Sequence, residues 1–282
     1  MNILSVQSHV AFGHVGNSAA VFALQRLGFE VWPVPTVLFS NHPGYGAWRG
    51  TVVEARIVRD MLLGIEERGG FAACDAVLSG YLGEADTGAA TVEAVARVKR
   101  VNPRALYCCD PVIGDRQSGI YVRPGIAESF RDSAVPAADI VTPNHFELEL
   151  LTGRPATDLR QTLKAVDALH ARGPRIVVVT SVVTTETPPE TIDLIVSEGT
   201  EKWRLRTPRL PLTLGGAGDL LAALFLGRYL RDRSAPHALS LATAGVFGVL
   251  ERTLALGARE LALIAAQEAF CAAPRRLPLE RL

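Results

Sequence analysis

The stretch LGGAGDLLAALF, residues 214–225, is the one around which the chain is organised. Three glycines in four positions (Gly215, Gly216, Gly218) let the backbone turn sharply and bring bare N–H groups close to a ligand. The run from Leu220 to Phe225 is rich in helix formers and apolar on every face, the pattern of a buried helix. A glycine turn opening such a helix offers an anion unpaired N–H groups and roughly half a positive charge. Asp219 then stands where a carboxylate can take a proton from a substrate hydroxyl while those N–H groups hold a phosphoryl oxygen. Asp is also a frequent helix N-cap, and the turn read alone favours that plainer role.

Outward from this turn, strands alternate with helices. Strands are expected over 2–7, 75–79, 105–109, 138–141 and 175–180, with further β-rich stretches at 191–196 and 203–206. Helices are expected over 18–27, from about 51 to 68, over 85–100, from TPNHFELELL onward, and over 159–172. From Gly218 to the end the pattern is almost wholly helical. Pro33 and Pro35 demote 30–37 to an edge or irregular strand. Such alternation predicts one α/β domain over 1–282, a mainly parallel central sheet flanked by helices in three layers. Ligands of such sheets bind beyond the carboxyl ends of the strands, where the polar clusters of this chain fall.

Composition narrows the function. Of 282 residues, 48% are hydrophobic and 21% charged, enough for a full core. Lys plus Arg equals Asp plus Glu at 29 each, so net charge implies no nucleic-acid partner. No apolar stretch is expected to span a membrane, and MNILSVQSH reads as a strand rather than a secretion signal. Cys74, Cys108, Cys109 and Cys271 show no metal-ligand spacing, which fits reduced thiols in a cytoplasmic protein.

Neither GxGxxG nor GxxxxGK[ST] is present, so a nucleotide has to use the late glycine turn. CCDPVIGD places Asp110 and Asp115 on one loop after a strand, hard oxygen ligands of the kind Mg²⁺ takes beside phosphates. The same residues fit an Asp-Pro turn with an exposed second Asp. Asn144 and Glu147, three apart at a helix start, share a face. They form nearly a capping box, or else reach phosphate and the metal's water shell. Ser8 follows the first strand, and Thr180 and Ser181 end another; each reads equally as an ordinary turn or strand-end hydroxyl. Tyr81, in SGYLG, can stack on a planar ligand.

In this order, VQSHVAFGHVGNSAA, FSNHPGYGAWRG, SGYLG, CDPVIGD, TPNHFE and GGAGD resemble the motifs of the pyridoxal kinases of the ribokinase superfamily. The resemblance runs from residue 3 to about 255. It implies a ribokinase-like fold, ATP-dependent phosphorylation of the 5′-hydroxymethyl group of pyridoxal, pyridoxine or pyridoxamine, Mg²⁺, usually a monovalent cation (K⁺ or Na⁺), and a homodimer. It implies that Ser8 hydrogen-bonds the ring, that Tyr81 encloses it, and that Pro43 and Gly44 lie against the substrate. Asp110, Asp115, Thr142, Asn144 and Glu147 would serve metal and phosphates, and Thr180 and Ser181 the nucleotide. Gly216 to Gly218 would form the anion hole, with Asp219 as base. A hydroxymethylpyrimidine kinase and a non-catalytic vitamin-B6 binder are the rivals.

The chain departs from that pattern in four places. Pro43 stands where many relatives have a Thr that touches the ring. Thr180 stands where some bacterial relatives have Lys. Ala217 replaces the Thr of GTGD, and the segment from 203 to 214 is short, which implies a trimmed flap over ATP.

Overall fold

A computed structural model describes residues 1–272 and 276–282. The strands are β1 (Asn2–Phe12), β2 (Glu30–Asn41), β3 (Gly50–Val52), β4 (Cys74–Ser79), β5 (Leu106–Cys109), β6 (Gly114–Asp115), β7 (Gly119–Ile120), β8 (Ile140–Val141), β9 (Ile176–Val182), β10 (Thr191–Glu198), β11 (Glu201–Pro208) and β12 (Leu279–Arg281). The helices are α1 (Asn17–Arg26), α2 (Ala55–Glu67), α3 (Gly70–Ala73), α4 (Ala85–Val101), α5 (Ile126–Ser129), α6 (Val135–Ala137), α7 (His145–Thr152), α8 (Leu159–His170), α9 (Ala217–Asp232), α10 (Ala235–Ala255) and α11 (Glu268–Cys271).

Ten strands form one sheet in the order β12-β11-β10-β9-β8-β5-β4-β1-β2-β3. The block from β9 to β2 is parallel throughout, and the pairings outside it are antiparallel. A parallel block needs both faces covered, and two apolar clusters do this. One joins Leu24, Leu220, Phe225, Leu239 and Phe270 under α1, α9 and α10. The other joins Val58, Leu62, Val98, Phe130, Leu148 and Val166 under α2, α4, α7 and α8. The chain leaves β1 for β2 on one side and later builds β4, β5, β8 and β9 on the other. The resulting switch point lies between β1 and β4, and open α/β sheets bind ligands outside the strands' carboxyl ends at such a point.

For β2 the expectation holds: Pro33 and Pro35 lie where it has only β1 beside it, as on an edge, and the β1–β2 register shifts just after Pro35. Glu30 donates its N–H to the Met1 carbonyl, and alternation turns Pro33 and Pro35 away from β1. On that far side β3 covers only Val37–Phe39, so the missing N–H groups cost nothing there. Other local expectations are revised. The end of the chain is not all helix: 258–267 is irregular, and β12 adds an antiparallel edge to β11. Residues 273–275 of that expected helix lie outside the described residues. Contrary to expectation, α10 is long and apolar enough by composition to cross a bilayer, with a mean hydropathy of 1.3 in its best window. Its Ala238, Leu239, Ala242 and Val249 are buried against the core instead.

Candidate active site

The glycine turn is built as its residues require. Gly216 takes a left-handed φ of 89° as N-cap of α9, and a Cβ there would run into the His14 carbonyl oxygen. Leu220 donates the first helical hydrogen bond to Gly216, 2.9 Å. The N–H groups of Ala217, Gly218 and Asp219 therefore have no intrahelical acceptor. A Cβ at Gly218 would meet nothing within 4 Å, so this glycine leaves open space above the bare N–H groups. The N-cap of α9 is Gly216, with Asp219 inside the first turn, so the plainer reading of Asp219 as the N-cap does not hold. Burial pushes its carboxyl up, against the Gly16 N–H and the charge of His42.

Asp110 and Glu147 lie beyond β5 and at the start of α7, 7% and 4% exposed. Burial pushes Asp110 up to about 7, helped by the charge of Asp219 and opposed by the Thr142 hydroxyl. Thr142 donates to Asp110 Oδ1 at 2.8 Å. Burial and then the charge of Asp110 push Glu147 up to about 8, against the N–H groups of Ile113, Asn144 and Gly114. Those three bonds measure 2.8, 2.8 and 3.3 Å. The capping box of Asn144 and Glu147 is present. Asn144 also gives its Nδ2–H to the Gly114 carbonyl at 2.8 Å, so both ends of its amide are engaged inside the protein.

Asp115 ends β6, and its Oδ1 accepts the N–H groups of Gln117 and Ser118 at 2.9 and 2.6 Å, closing the β6–β7 hairpin. Among the described residues no three His, Cys, Asp or Glu side chains stand close enough to ligate one ion. The residues nevertheless fit Mg²⁺ beside a nucleotide, which takes only one or two protein carboxylates and keeps the rest of its shell as water and phosphate. The buried floor contains Asp110 and Glu147 with Asp219 close by, and no cation is among the charges that act on the first two.

Thr180 and Ser181 sit where β9 bulges against β10. Thr180 donates its N–H to Pro143 at 2.9 Å and bridges to Asn144, joining this strand end to the acidic floor. Ser181 is exposed with φ 53°, a left-handed conformation that costs a non-glycine residue about 1–2 kcal/mol. The connection from β11 to α9, glycine turn included, spans only 209–216. In β1, a register shift between Gln7 and His9 sets Ser8 apart from the regular pairing. Gly16, with φ 53°, packs so closely that a Cβ would run into the Ser8 hydroxyl. Tyr81 packs with Val10, Val15, Val37 and Phe39. Pro43 and Gly44 lie exposed in a single 3₁₀ turn capped by His42, whose Nδ1 accepts the Gly44 N–H at 3.1 Å.

Residues 65–263 match the phosphomethylpyrimidine kinase family. The chain is 52% identical to a pyridoxal kinase PdxY of Corynebacterium diphtheriae, over 96% of this chain and 95% of the relative. It is 52% identical to the pyridoxal kinase PdxY of Deinococcus radiodurans, over 95% and 92%. The chain belongs to the pyridoxal kinase family. The fold agrees: the pyridoxal kinase of Leishmania donovani, solved with ADP and ginkgotoxin, superposes with a TM-score of 0.94 at 27% identity. That superposition covers 100% of this chain and 99% of the other. A second structure of that kinase, with ADP and pyridoxine, gives a TM-score of 0.93 at 26% identity over the same shares.

Two residues of this pyridoxal kinase fold escaped the sequence reading. Tyr121, just after β7, has its phenol pushed up by burial and then by the charges of Glu147, Asp219, Asp110 and Asp115. The residue as a whole is 49% exposed. His42 is the other: a Cβ on Gly215 would stand 3.6 Å from its ring, and its place inside FSNH, in the motif FSNHPGYGAWRG, is the available signal.

Proposed function

We propose that this chain transfers the γ-phosphoryl group of ATP to the 5′-hydroxymethyl group of pyridoxal, and that pyridoxine and pyridoxamine are accepted at the same site. The observation that carries the reading is the juxtaposition of the open glycine turn with Asp219 and the buried acidic floor, in a chain 52% identical to pyridoxal kinases. Ser8 and Tyr81 would hold the ring, with Pro43 and Gly44 over it. Asp219, its proton affinity raised by burial, would take the hydroxyl proton as the oxygen attacks. The N–H groups of Ala217 and Gly218 would receive the phosphoryl oxygens, which costs no reorganisation because the turn is already formed. Thr180 and Ser181 would meet the nucleotide.

Asp110 would hold Mg²⁺, with Asp115 and Glu147 reaching its water shell, and Thr142 and Asn144 keeping those groups in place. Bound there, the metal supplies positive charge to the phosphates. Little covalent chemistry is asked of the protein, so positioning and charge stabilisation do most of the work. The proposal extends to a monovalent cation, a homodimer and a cytoplasmic setting, which rest on the motif resemblance and the reduced thiols.

Coupled ADP-release assays with Mg·ATP and each of pyridoxal, hydroxymethylpyrimidine and no acceptor test the reading. Pyridoxal-dependent release is expected. Preferred turnover of hydroxymethylpyrimidine would transfer the chain to that rival activity. Pyridoxal binding without ADP release would make it a vitamin-B6 binder.

A further inference from the structure

Glu260 lies in the irregular segment after α10, outside every motif that carries the resemblance. One carboxylate oxygen accepts the Tyr45 hydroxyl at 2.6 Å, and the other accepts the His14 N–H at 3.1 Å. Gly13 lies so close that a Cβ there would run into the same carboxylate. The neighbouring Arg259 guanidinium stands 5.0 Å from the centre of the Tyr45 ring, and Phe12 meets that ring edge-on at 6.1 Å. Leu261 is 1% exposed, and its Cδ1 would stand 3.1 Å from a Cβ on Gly216. The segment is thus buried at Leu261 beside the N-cap of α9, and its carboxylate reaches out from that anchor.

Three parts of the site meet at this one side chain. The Gly13–His14 turn presses its carbonyl on Gly216, and Glu260 holds the N–H of that same His14. The substrate loop, with Pro43 and Gly44 exposed, gains from Glu260 a bond to a residue 215 positions away. Its other polar ties at Asn41 and His42 are local.

We propose that Glu260 is a positioning residue for the phosphoryl transfer: it latches the Tyr45 loop and the Gly13–His14 turn onto the first turn of α9, and so seats pyridoxal over Asp219. This rests on the kinase reading of the site. The nucleotide side, built on β5, α7 and β9, makes no bond to Glu260, so loss of the latch acts on one substrate and spares the other.

The test compares Glu260→Ala, Glu260→Gln, Tyr45→Phe and the Glu260→Ala/Tyr45→Phe double variant. Losing two hydrogen bonds to a charged group should raise the KM for pyridoxal by about tenfold or more. The KM for ATP and the melting temperature should stay near wild type. Glu260→Gln keeps one acceptor oxygen and should recover part of the loss. Tyr45→Phe should raise the pyridoxal KM less, and should add nothing to Glu260→Ala, because both remove the same link. Hydrogen exchange supplies a readout free of turnover: amides at 13–14 and 42–46 should exchange faster in Glu260→Ala, and those of α7 should not.

An unchanged pyridoxal KM, or a matching rise for ATP with a lowered melting temperature, would overturn the proposal. Additive effects of the two single variants would overturn it as well. Wild-type protein that fails to phosphorylate pyridoxal ends the kinase reading and with it the purpose of the latch. Unchanged exchange at 13–14 and 42–46 ends the latch alone.

Discussion

Asp110 and Glu147 lie under the sheet's carboxyl edge almost without solvent, and three backbone N–H groups and a threonine hydroxyl converge on their carboxylates. Pro43, Gly44 and Trp48 lie exposed on a loop whose base is closed by Ser40 and Arg49. The floor is a buried network, in which each polar group depends on its neighbours. The loop is a surface feature with a few long-range ties. The difference teaches where the two halves of the proposed reaction reside: charge handling in the floor and the α9 turn, acceptor choice in the loop. Changes on the charge side should cost rate, metal affinity or pH behaviour, and changes on the loop should alter only the acceptor KM.

The largest effect is expected from Asp219→Asn. Size and helix are kept, so the variant should fold and bind both substrates, while kcat falls by roughly 10²–10⁴. Coupled assay, calorimetry and a thermal melt on one preparation decide it; a folded variant with near wild-type kcat ends the role of Asp219 as base. Glu147→Gln comes next. It should raise the Mg²⁺ concentration for half-maximal activity by about 10-fold to 100-fold with pyridoxal binding unchanged. An unaltered metal titration would leave Glu147 as a cap and nothing more.

Asp110→Asn divides function from stability. The folded protein holds the Asp110 and Glu147 protons more tightly than the unfolded chain does, at about 7 and about 8. These groups therefore make the ligand-free protein more stable as pH falls from about 8 towards the ordinary carboxylate range, and less stable as it rises. Wild type should melt higher at pH 6 than at pH 8 without ligands. Asp110→Asn should flatten that slope and gain on the order of 1–3 kcal/mol at pH 8 while losing activity. Equal melting of wild type at both pH values would show that the floor stores no such repulsion. The smallest effect belongs to the loop: Pro43→Thr should lower the pyridoxal KM by the value of one hydrogen bond, about 0.5–1.5 kcal/mol, with kcat unchanged. A raised KM would mean that Pro43 serves the loop's shape.

What was legible in the sequence was local. The glycine turn shows itself because the residues that need it are consecutive, and the Asn144–Glu147 pair because a capping box repeats at three residues. Strand and helix alternation predicted the parallel block, since buried parallel strands read as apolar runs. The misses were tertiary. Tyr121 comes under the charge of the acidic groups only after two short strands fold back, and Glu260 reaches His14 across 246 positions. β12 is three residues, too short for a periodic pattern, and owes its conformation to the edge of β11.

The exposure of residues 42–44 and 46–49 has an evolutionary consequence. A surface substitution away from special contacts changes stability by only about 0.5 kcal/mol, so variants at Pro43 or Ala47 survive folding and reach selection on what they bind. Variants in the floor are filtered first by whether the chain folds, because a buried group left without its partner costs about 1–3 kcal/mol. Acceptor range is thus the trait this architecture leaves free to drift, while the means of transferring phosphate is shielded from trial.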